Sequence, residues 1–179
     1  MGHFYFVRHG QTVWNVENKI CGATDSPLTE RGHAQAIELA NDIVMRGIKI
    51  DEILYSPLSR ARDTALHISD IIGVPARPEQ RLFEQNFGKW EGTARNGEQF
   101  LADKANFATS YEGGESMLKL CQRIYNLLDE IKEEPEKVYL LVAHNGISRA
   151  VESYFRDMTN EEYSSFGIKN CDIRRYDFT

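Results

Sequence analysis

The spacing of hydrophobic residues predicts short buried strands that alternate with amphipathic helices along the chain. Apolar and β-branched runs of strand length lie at 3–7, 52–55 and 138–143. A further strand is expected at a sheet edge over 172–178, and a short strand is expected before Leu82. Because strands that alternate with helices form a sheet covered on both faces, we expect a three-layer α/β/α fold with a mainly parallel central sheet.

The helices are predicted from apolar residues at three- and four-residue spacing and from their end signals. The first begins after Thr29, an N-cap residue, and ends near Arg46, where Gly47 follows. The other three are expected at about 58–72, 115–132 and 146–155. In the second of these four helices, the pattern places Leu66 among the buried residues.

The length of 179 residues fits one domain spanning 1–179. The segment at about 92–114 has a weak helical pattern, and we interpret it as a lid or insertion of this domain. A lid indicates a partly enclosed pocket and a small ligand.

Composition excludes few classes of protein but changes the expected environment of a binding site. The net charge is −6, from 21 Lys and Arg against 27 Asp and Glu. This balance argues against a nucleic-acid-binding protein, and it means that an anion site must create its own local positive potential. Cys21, Cys121 and Cys171 are odd in number and widely separated, which is typical of thiols in a reducing compartment. No apolar run has the length of a membrane span, so we expect a cytoplasmic protein without a membrane partner.

Unusual polar residues follow three of the predicted strands. The first strand is followed by residues 8–12 (RHGQT), the second by 56–60 (SPLSR) and the buried strand at 138–143 by 144–146 (HNG). The carboxyl ends of parallel strands meet at one edge of a sheet, where ligands bind. We therefore expect two histidines and two arginines to face a common crevice.

This set of side chains favours an anion over a metal ion. Metal sites combine imidazoles with carboxylates or thiolates, whereas Arg8 beside His9 would repel a cation. Guanidinium groups bind phosphate oxygens, and a neutral imidazole can attack phosphorus. Arg8, Arg60 and a protonated His144 could then stabilise the charge of the transition state. Glu84 is the candidate general acid, and Glu91 competes with it for this role.

Five motifs along the chain closely resemble those of the histidine phosphatase superfamily, the phosphoglycerate-mutase-like proteins. They are residues 4–15 (FYFVRHGQTVWN), 22–32 (GATDSPLTERG), 56–61 (SPLSRA) with Thr64, 82–84 (LFE) with 87–92 (FGKWEG), and 113–116 (GGES) with 142–144 (VAH). The triplet RHG alone would be weak evidence, but the motifs occur in the family's order over nearly the whole chain. The resemblance is to the phosphatase branch of that family.

The resemblance implies a role for each matching residue. His9 would be the phosphorylated nucleophile, and Glu84 the acid that later activates water. Arg8, Arg60 and His144 would form the phosphate pocket. The implied substrate contacts are Asn15, Gln11, Cys21, Gly22 and Thr24. Asn145 departs from the family pattern, because many members place glycine directly after the second histidine, and it could add a hydrogen bond in the pocket.

The resulting hypothesis is metal-independent hydrolysis of a phosphomonoester on a small metabolite, through a phosphohistidine and without a cofactor. A cofactor-dependent phosphoglycerate mutase is the main alternative. The segment 92–116 contains two cations, Arg95 and Lys104, against four acids, which favours water as the acceptor. A catalytically silent phospho-ligand-binding module and a phosphatase acting on proteins are further alternatives. These residues identify the phosphoryl group but neither the alcohol behind it nor the oligomeric state.

Overall fold

One five-stranded sheet forms the centre of the molecule in the computed structural model, which describes residues 2–179. The strands are β1 (His3–Arg8), β2 (Glu52–Tyr55), β3 (Ala76–Pro78), β4 (Tyr139–Ala143) and β5 (Ile173–Asp177). Their order is β3-β2-β4-β1-β5. The β2–β3, β2–β4 and β1–β4 pairs are parallel, whereas β5 runs antiparallel to β1 at the edge. The mainly parallel sheet predicted from the sequence is confirmed.

Within residues 2–179, seven α-helices connect or follow these strands. They are α1 (Val13–Val16), α2 (Glu30–Met45), α3 (Ser59–Ile72), α4 (Glu98–Lys104), α5 (Met117–Lys132), α6 (Asn145–Phe155) and α7 (Asn160–Ser165). The segment between β3 and α4 also contains two short 3₁₀ helices, Gln80–Leu82 and Gly88–Trp90. The short α7 was not predicted. No helix of residues 2–179 has both the length and the apolar character that a bilayer span needs.

The sheet is covered by helices on both faces, as the fully buried strand β4 shows. Leu140 and Val142 lie in one hydrophobic cluster with Leu39 of α2 and Ala65 of α3. Leu141 lies in a second cluster, which contains apolar residues of α5 and α6. Since successive side chains of a strand point to opposite faces, these two clusters are the two interfaces of a three-layer α/β/α fold. This layer arrangement is the one predicted.

The ends of the long helices follow the predicted signals, but one buried position was wrong. The Thr29 side chain accepts a hydrogen bond from Gly32 N at the start of α2, and Gly73 ends α3 with a left-handed φ of 70°. Leu66 is 41% exposed, whereas Ala65 is buried. One residue along a helix rotates the side chain by about 100°, so Leu66 points away from the sheet that Ala65 contacts.

The parallel register places the three polar segments at one edge of the sheet. Arg8 of β1 pairs with Ala143 of β4, and Tyr55 of β2 pairs with Val142. The ladder continues one residue further, because His9 N donates to Ala143 O over 3.0 Å. The residues that follow β1, β2 and β4 therefore meet in space.

Candidate active site

His9 lies directly after β1 and is held in the orientation and protonation state of a nucleophile. Its Nδ1 lies 2.7 Å from Gly10 O. Because a carbonyl oxygen only accepts, Nδ1 carries the proton and Nε2 keeps its lone pair. Burial, followed by the positive charges of Arg60 and Arg8, lowers the pKa of His9 well below its usual value of 6.5. The ring is therefore neutral near pH 7.

The two predicted arginines lie close enough to His9 to lower its pKa, and both are fixed by backbone carbonyl groups. Arg8 Nη1 donates to Ile168 O over 2.7 Å, and burial lowers the pKa of Arg8 to about 10. Arg60, in the first turn of α3, is 1% exposed and donates to the carbonyl oxygens of Gly22 and Thr24. The half-exposed Asp25 lies 3.7 Å from Arg60 Nη1. The positive charge of Arg8 and Arg60 is thus largely uncompensated and available to a ligand.

His144 lies behind His9, with the two ring centroids 5.2 Å apart, and is fully buried. Its Nε2 lies 2.6 Å from Ser56 Oγ. Burial and the charge of Arg60 lower the pKa of His144 well below its usual value. In the free protein these groups favour the neutral ring, whereas the predicted protonated His144 belongs to the state with a phosphoryl group bound. A bound anion would act in the opposite direction and raise the pKa.

Unsatisfied buried atoms cluster at this site. Four buried side-chain nitrogen or oxygen atoms have no hydrogen-bond partner among residues 2–179: Arg8 Nε, Arg60 Nε, His144 Nδ1 and Gln85 Oε1. Three of them belong to the residues predicted to hold a phosphate. Each unsatisfied buried donor costs about 1–3 kcal/mol. Buried groups without partners are typical of a site that has a catalytic role.

The two candidate carboxylates have different environments, and Glu84 is the one at the cavity. Glu84 is buried, lines the cavity beside His9, and accepts hydrogen bonds from Gln85 N and Gly146 N. Glu91 instead accepts from the backbone nitrogens of Phe87 and of residues 22–24. Glu91 therefore organises a loop, whereas Glu84 faces the space where a ligand would bind.

Three of the predicted substrate contacts line the same cavity as His9: Asn15, Cys21 and Asn145. Asn15 Oδ1 accepts from Thr12 N and from Asn170 Nδ2, so its amide nitrogen is the group that can donate to a ligand. Asn145 Oδ1 accepts from Ile168 N, which fixes the side chain at the start of α6. Burial raises the pKa of Cys21 to about 11, and its thiol donates to Thr24 O.

The other three predicted contacts do not line the cavity. The Gln11 side chain accepts from the Thr29 hydroxyl. Gly22 and Thr24 present their carbonyl oxygens to Arg60, and the Glu91 carboxylate occupies their backbone N–H groups. A Cβ at Gly22 would lie 2.1 Å from Gln85 O, so only glycine allows this close approach. In this arrangement the loop of residues 22–24 positions Arg60, and its own backbone N–H groups are bound to Glu91 rather than free for a ligand.

Three cations of the cavity wall were missed by the sequence reasoning: Arg95, Lys104 and Arg149. The first two had been counted only as charges of the segment 92–116. None of the four acids counted against them lines the cavity, and three of them have other partners: Asp103 accepts from Trp90 Nε1, Glu112 pairs with Lys89, and Glu115 pairs with Arg123. A signal for Arg149 was present, because it follows Asn145 by four residues and so shares its helix face.

Comparisons with known proteins agree with this geometry. The family model described as histidine phosphatase superfamily (branch 1) matches residues 4–179. A protein of Escherichia fergusonii named "Probable phosphoglycerate mutase GpmB" is 33% identical, over 97% of this chain and 84% of its own length.

Two solved structures are similar over nearly the whole chain. A mycobacterial glucosyl-3-phosphoglycerate phosphatase is 27% identical, with a TM-score of 0.83 over 97% of this chain and 89% of that one. The alpha-ribazole phosphatase of Shigella flexneri, at 24% identity and a TM-score of 0.83, shares the fold over 99% of this chain and 91% of its own. By its family match, its sheet and the order of its motifs, the chain belongs to the histidine phosphatase superfamily.

Proposed function

We propose that this protein is a metal-independent phosphatase that hydrolyses a small phosphomonoester through a phosphohistidine at His9. The observation that carries the proposal is a neutral His9 imidazole at the cavity, close to the guanidinium donors of Arg8 and Arg60, which backbone carbonyl groups hold in place. Such preorganised donors stabilise the equatorial oxygens of a phosphoryl group during transfer. Two fixed guanidinium groups supply the positive charge that a metal ion supplies in other phosphatases.

In the first step, the Nε2 lone pair of His9 attacks phosphorus and the bond from phosphorus to the ester oxygen breaks. Glu84 donates a proton to the leaving oxygen, so that the product is a neutral alcohol. In the second step, Glu84 takes a proton from water as the water oxygen attacks the phosphohistidine. The P–N bond breaks, its electron pair returns to Nε2, and inorganic phosphate leaves.

The test is hydrolysis of p-nitrophenyl phosphate in EDTA, with His9→Ala and the matched control His67→Ala. His67 is half-buried on α3, where its Nε2 lies 2.8 Å from His33 Nδ1, and it does not line the cavity. We expect activity in EDTA, its loss in His9→Ala by a factor of about 10³ or more, and its retention in His67→Ala. Activity that EDTA abolishes, or that survives in His9→Ala, would refute the mechanism.

A phosphoglycerate mutase is the second candidate, because Arg95, Lys104 and Arg149 line the cavity. The name of the Escherichia fergusonii relative points to the same reaction. Interconversion of 2- and 3-phosphoglycerate, measured with and without 2,3-bisphosphoglycerate, separates the candidates. We expect release of inorganic phosphate to exceed isomerisation. The reverse ratio, dependent on the bisphosphate, would identify a mutase, and failure to label His9 with phosphate would favour a silent binding module.

Two further proposals concern the setting of the site. We treat residues 1–179 as one catalytic domain, with the segment 92–114 as its lid; Phe100 of α4 packs there against Phe87, Trp90 and Tyr111. We also place the protein in the cytoplasm, with a small phosphorylated metabolite as its partner. Fractionation of cells that express the tagged chain tests the location.

A further inference from the structure

The turn that leads into β5 reaches back to the residues around His9, and the two catalytic steps above do not use it. Cys171 N donates to Arg8 O over 2.8 Å, and Asn170 Nδ2 donates to His9 O over 2.9 Å. The same Nδ2 lies 3.3 Å from Asn15 Oδ1. Asn170 itself is half-buried and does not line the cavity. Any effect of Asn170 on the reaction must therefore pass through the residues that it binds.

The neighbouring backbone groups determine which end of each amide is the nitrogen. Thr12 N is a donor, so the Asn15 atom that lies 3.0 Å from it is the oxygen. The His9 carbonyl oxygen only accepts, so the Asn170 atom beside it is the nitrogen. Because an amide nitrogen carries two hydrogens, Asn170 can donate to His9 O and to Asn15 Oδ1 at the same time. Protein groups alone thus set the orientation of both amides.

This arrangement leaves the amide nitrogen of Asn15 available to a ligand. Asn15 lies in the short helix α1 and lines the cavity beside His9. Its oxygen is held by Thr12 N and by Asn170 Nδ2. Without Asn170 the oxygen would keep a single donor, and a rotated amide would present that oxygen to the cavity. A phosphoryl oxygen accepts a hydrogen bond from an N–H group but is repelled by a carbonyl oxygen.

The turn that carries Asn170 contains backbone strain. Cys171 has a φ of 56°, in the left-handed region that residues other than glycine seldom adopt. Asp172 N donates to Lys169 O over 3.1 Å, so Cys171 is the third residue of a β-turn, a position where glycine or asparagine usually supplies a positive φ. Such strain persists where surrounding contacts require it. Here the strained residue binds Arg8 O and places Asn170 against the residue after it.

Building on the proposed phosphatase function, we infer that Asn170 is a positioning residue for phosphoryl transfer. Through one amide nitrogen it holds the main chain of His9 and the side chain of Asn15. The nucleophile and the Asn15 donor therefore keep a fixed relative position. Asn170 touches neither the phosphoryl group nor the leaving group, and Asn15 is an effective donor only while Asn170 binds its oxygen.

Two substitutions remove the Asn170 donor in different ways. Asn170→Asp keeps the shape and replaces the nitrogen by a charged oxygen, whereas Asn170→Ala removes the group without adding charge. Each should lower kcat/KM for p-nitrophenyl phosphate by about 10- to 100-fold, since a displacement of about 1 Å beside reacting atoms costs roughly 100-fold. Asn126→Asp is the matched control, because Asn126 is exposed on α5 and does not line the cavity. It should keep the wild-type kcat/KM.

A double-mutant cycle with Asn15 distinguishes positioning from a general structural role. In an Asn15→Ala background, Asn170→Ala should reduce kcat/KM by a factor that is smaller by about fivefold or more than in the wild type, because the oriented donor is already gone. Urea unfolding of each variant establishes that folded proteins are compared. Strictly multiplicative losses would refute the inference. A loss in Asn170→Asp with wild-type kcat/KM in Asn170→Ala would also refute it, since the added charge would then be the cause.

The outcomes separate this inference from the proposed function. If the wild type and Asn170→Ala hydrolyse p-nitrophenyl phosphate equally well, the inference fails and the phosphatase proposal stands. If the wild type hydrolyses no ester, calorimetric titration with inorganic phosphate decides it. Weaker binding in Asn170→Ala that disappears in the Asn15→Ala background supports the positioning role, and equal affinity of Asn170→Ala and the wild type refutes it.

A measurement on the wild type covers the case in which neither Asn170 variant folds. A crystal structure with orthovanadate should show the Asn15 amide nitrogen donating to a vanadate oxygen while Asn170 Nδ2 still binds Asn15 Oδ1. An Asn15 side chain that is turned away from the vanadate, or that has lost Asn170, would overturn the inference.

Discussion

Gly146 is the position at which a single methyl group should displace the general acid. The residue is in the first turn of α6, and its N–H donates to Glu84 Oε2 over 3.0 Å. A Cβ built there would lie 2.4 Å from Glu84 Oε1 and 3.0 Å from its Cδ. Carbon and oxygen atoms need a separation of at least about 3.2 Å, so the carboxylate must move by roughly 1 Å.

The expected effect of Gly146→Ala is large on catalysis and small on stability. A displacement of about 1 Å at a reacting group costs roughly 10²-fold in rate. Alanine favours the helix by about 1 kcal/mol over glycine, whereas a weakened charged hydrogen bond costs about 1.5–3 kcal/mol. The free energy of unfolding should therefore change by no more than about 2 kcal/mol.

The assay is kcat/KM for aryl phosphates whose leaving groups differ in pKa. A poor leaving group needs the proton from Glu84 most, so the loss should be about 10²-fold for phenyl phosphate and much smaller for p-nitrophenyl phosphate. Gly97→Ala is the matched control, because a Cβ there meets only Ala94 O at 3.7 Å. In a Glu84→Gln background, Gly146→Ala should add little. Wild-type kcat/KM for phenyl phosphate in Gly146→Ala would refute the reasoning.

Four other outcomes can be measured directly. Because its pKa is lowered, His9 should be neutral at pH 6, where roughly three quarters of an ordinary imidazole is protonated; its ¹⁵N chemical shifts decide this. Lys104 is a cation below its pKa of about 8 and neutral above it, so the ratio of kcat/KM for 3-phosphoglycerate to kcat/KM for glycerol 3-phosphate should fall from pH 7 to pH 9; an unchanged ratio argues against a contact of the lysine with the substrate. Glu91→Gln weakens the bonds to four loop amides, and urea unfolding should show a loss of about 1.5–3 kcal/mol. Leu128→Ala, at a fully buried position of α5, should cost about 2–5 kcal/mol in the same measurement.

The architecture was predictable because hydrophobic periodicity reports which faces are buried. The strands at 3–7, 52–55 and 138–143 were found within one or two residues, and the N-cap of α2 was exact. Leu66 was misplaced because an apolar residue one position beyond a buried one lies on a different helix face. The short α7 has six residues, too few for a periodic pattern to identify it.

The candidate site was predictable where chain position determines spatial position. His9, Arg60 and His144 follow adjacent parallel strands, so the sheet brings them together. Asn145 was predicted as a site residue for the same reason, because it directly follows His144 after β4. By contrast, whether Gly22 and Thr24 offer amides or carbonyl oxygens to the site depends on the tertiary contacts of Glu91 and Arg60. Local sequence does not determine such contacts.

The cations of the cavity wall, Arg95, Lys104 and Arg149, show the limit of counting charges along a segment. Arg95 and Lys104 were outnumbered by four acids in the sequence, yet none of these acids lines the cavity and three of them have partners outside it. Arg149 lies on a different element from the two of them. The net charge of a segment therefore says little about the charge of a wall that several segments build together.

The contacts of the chain from Ile168 to Cys171 with the segment after β1 affect how the protein folds. Ile168 O binds Arg8 across 160 positions, Asn170 Nδ2 binds His9 O across 161, and Cys171 N donates to Arg8 O. On the ribosome, His9 therefore emerges long before the residues that orient it and its neighbour. Contacts of such long range slow folding, so the newly made histidine motif stays unstructured until β4 and β5 have been synthesised. Phosphate affinity should appear in a single late step of synthesis.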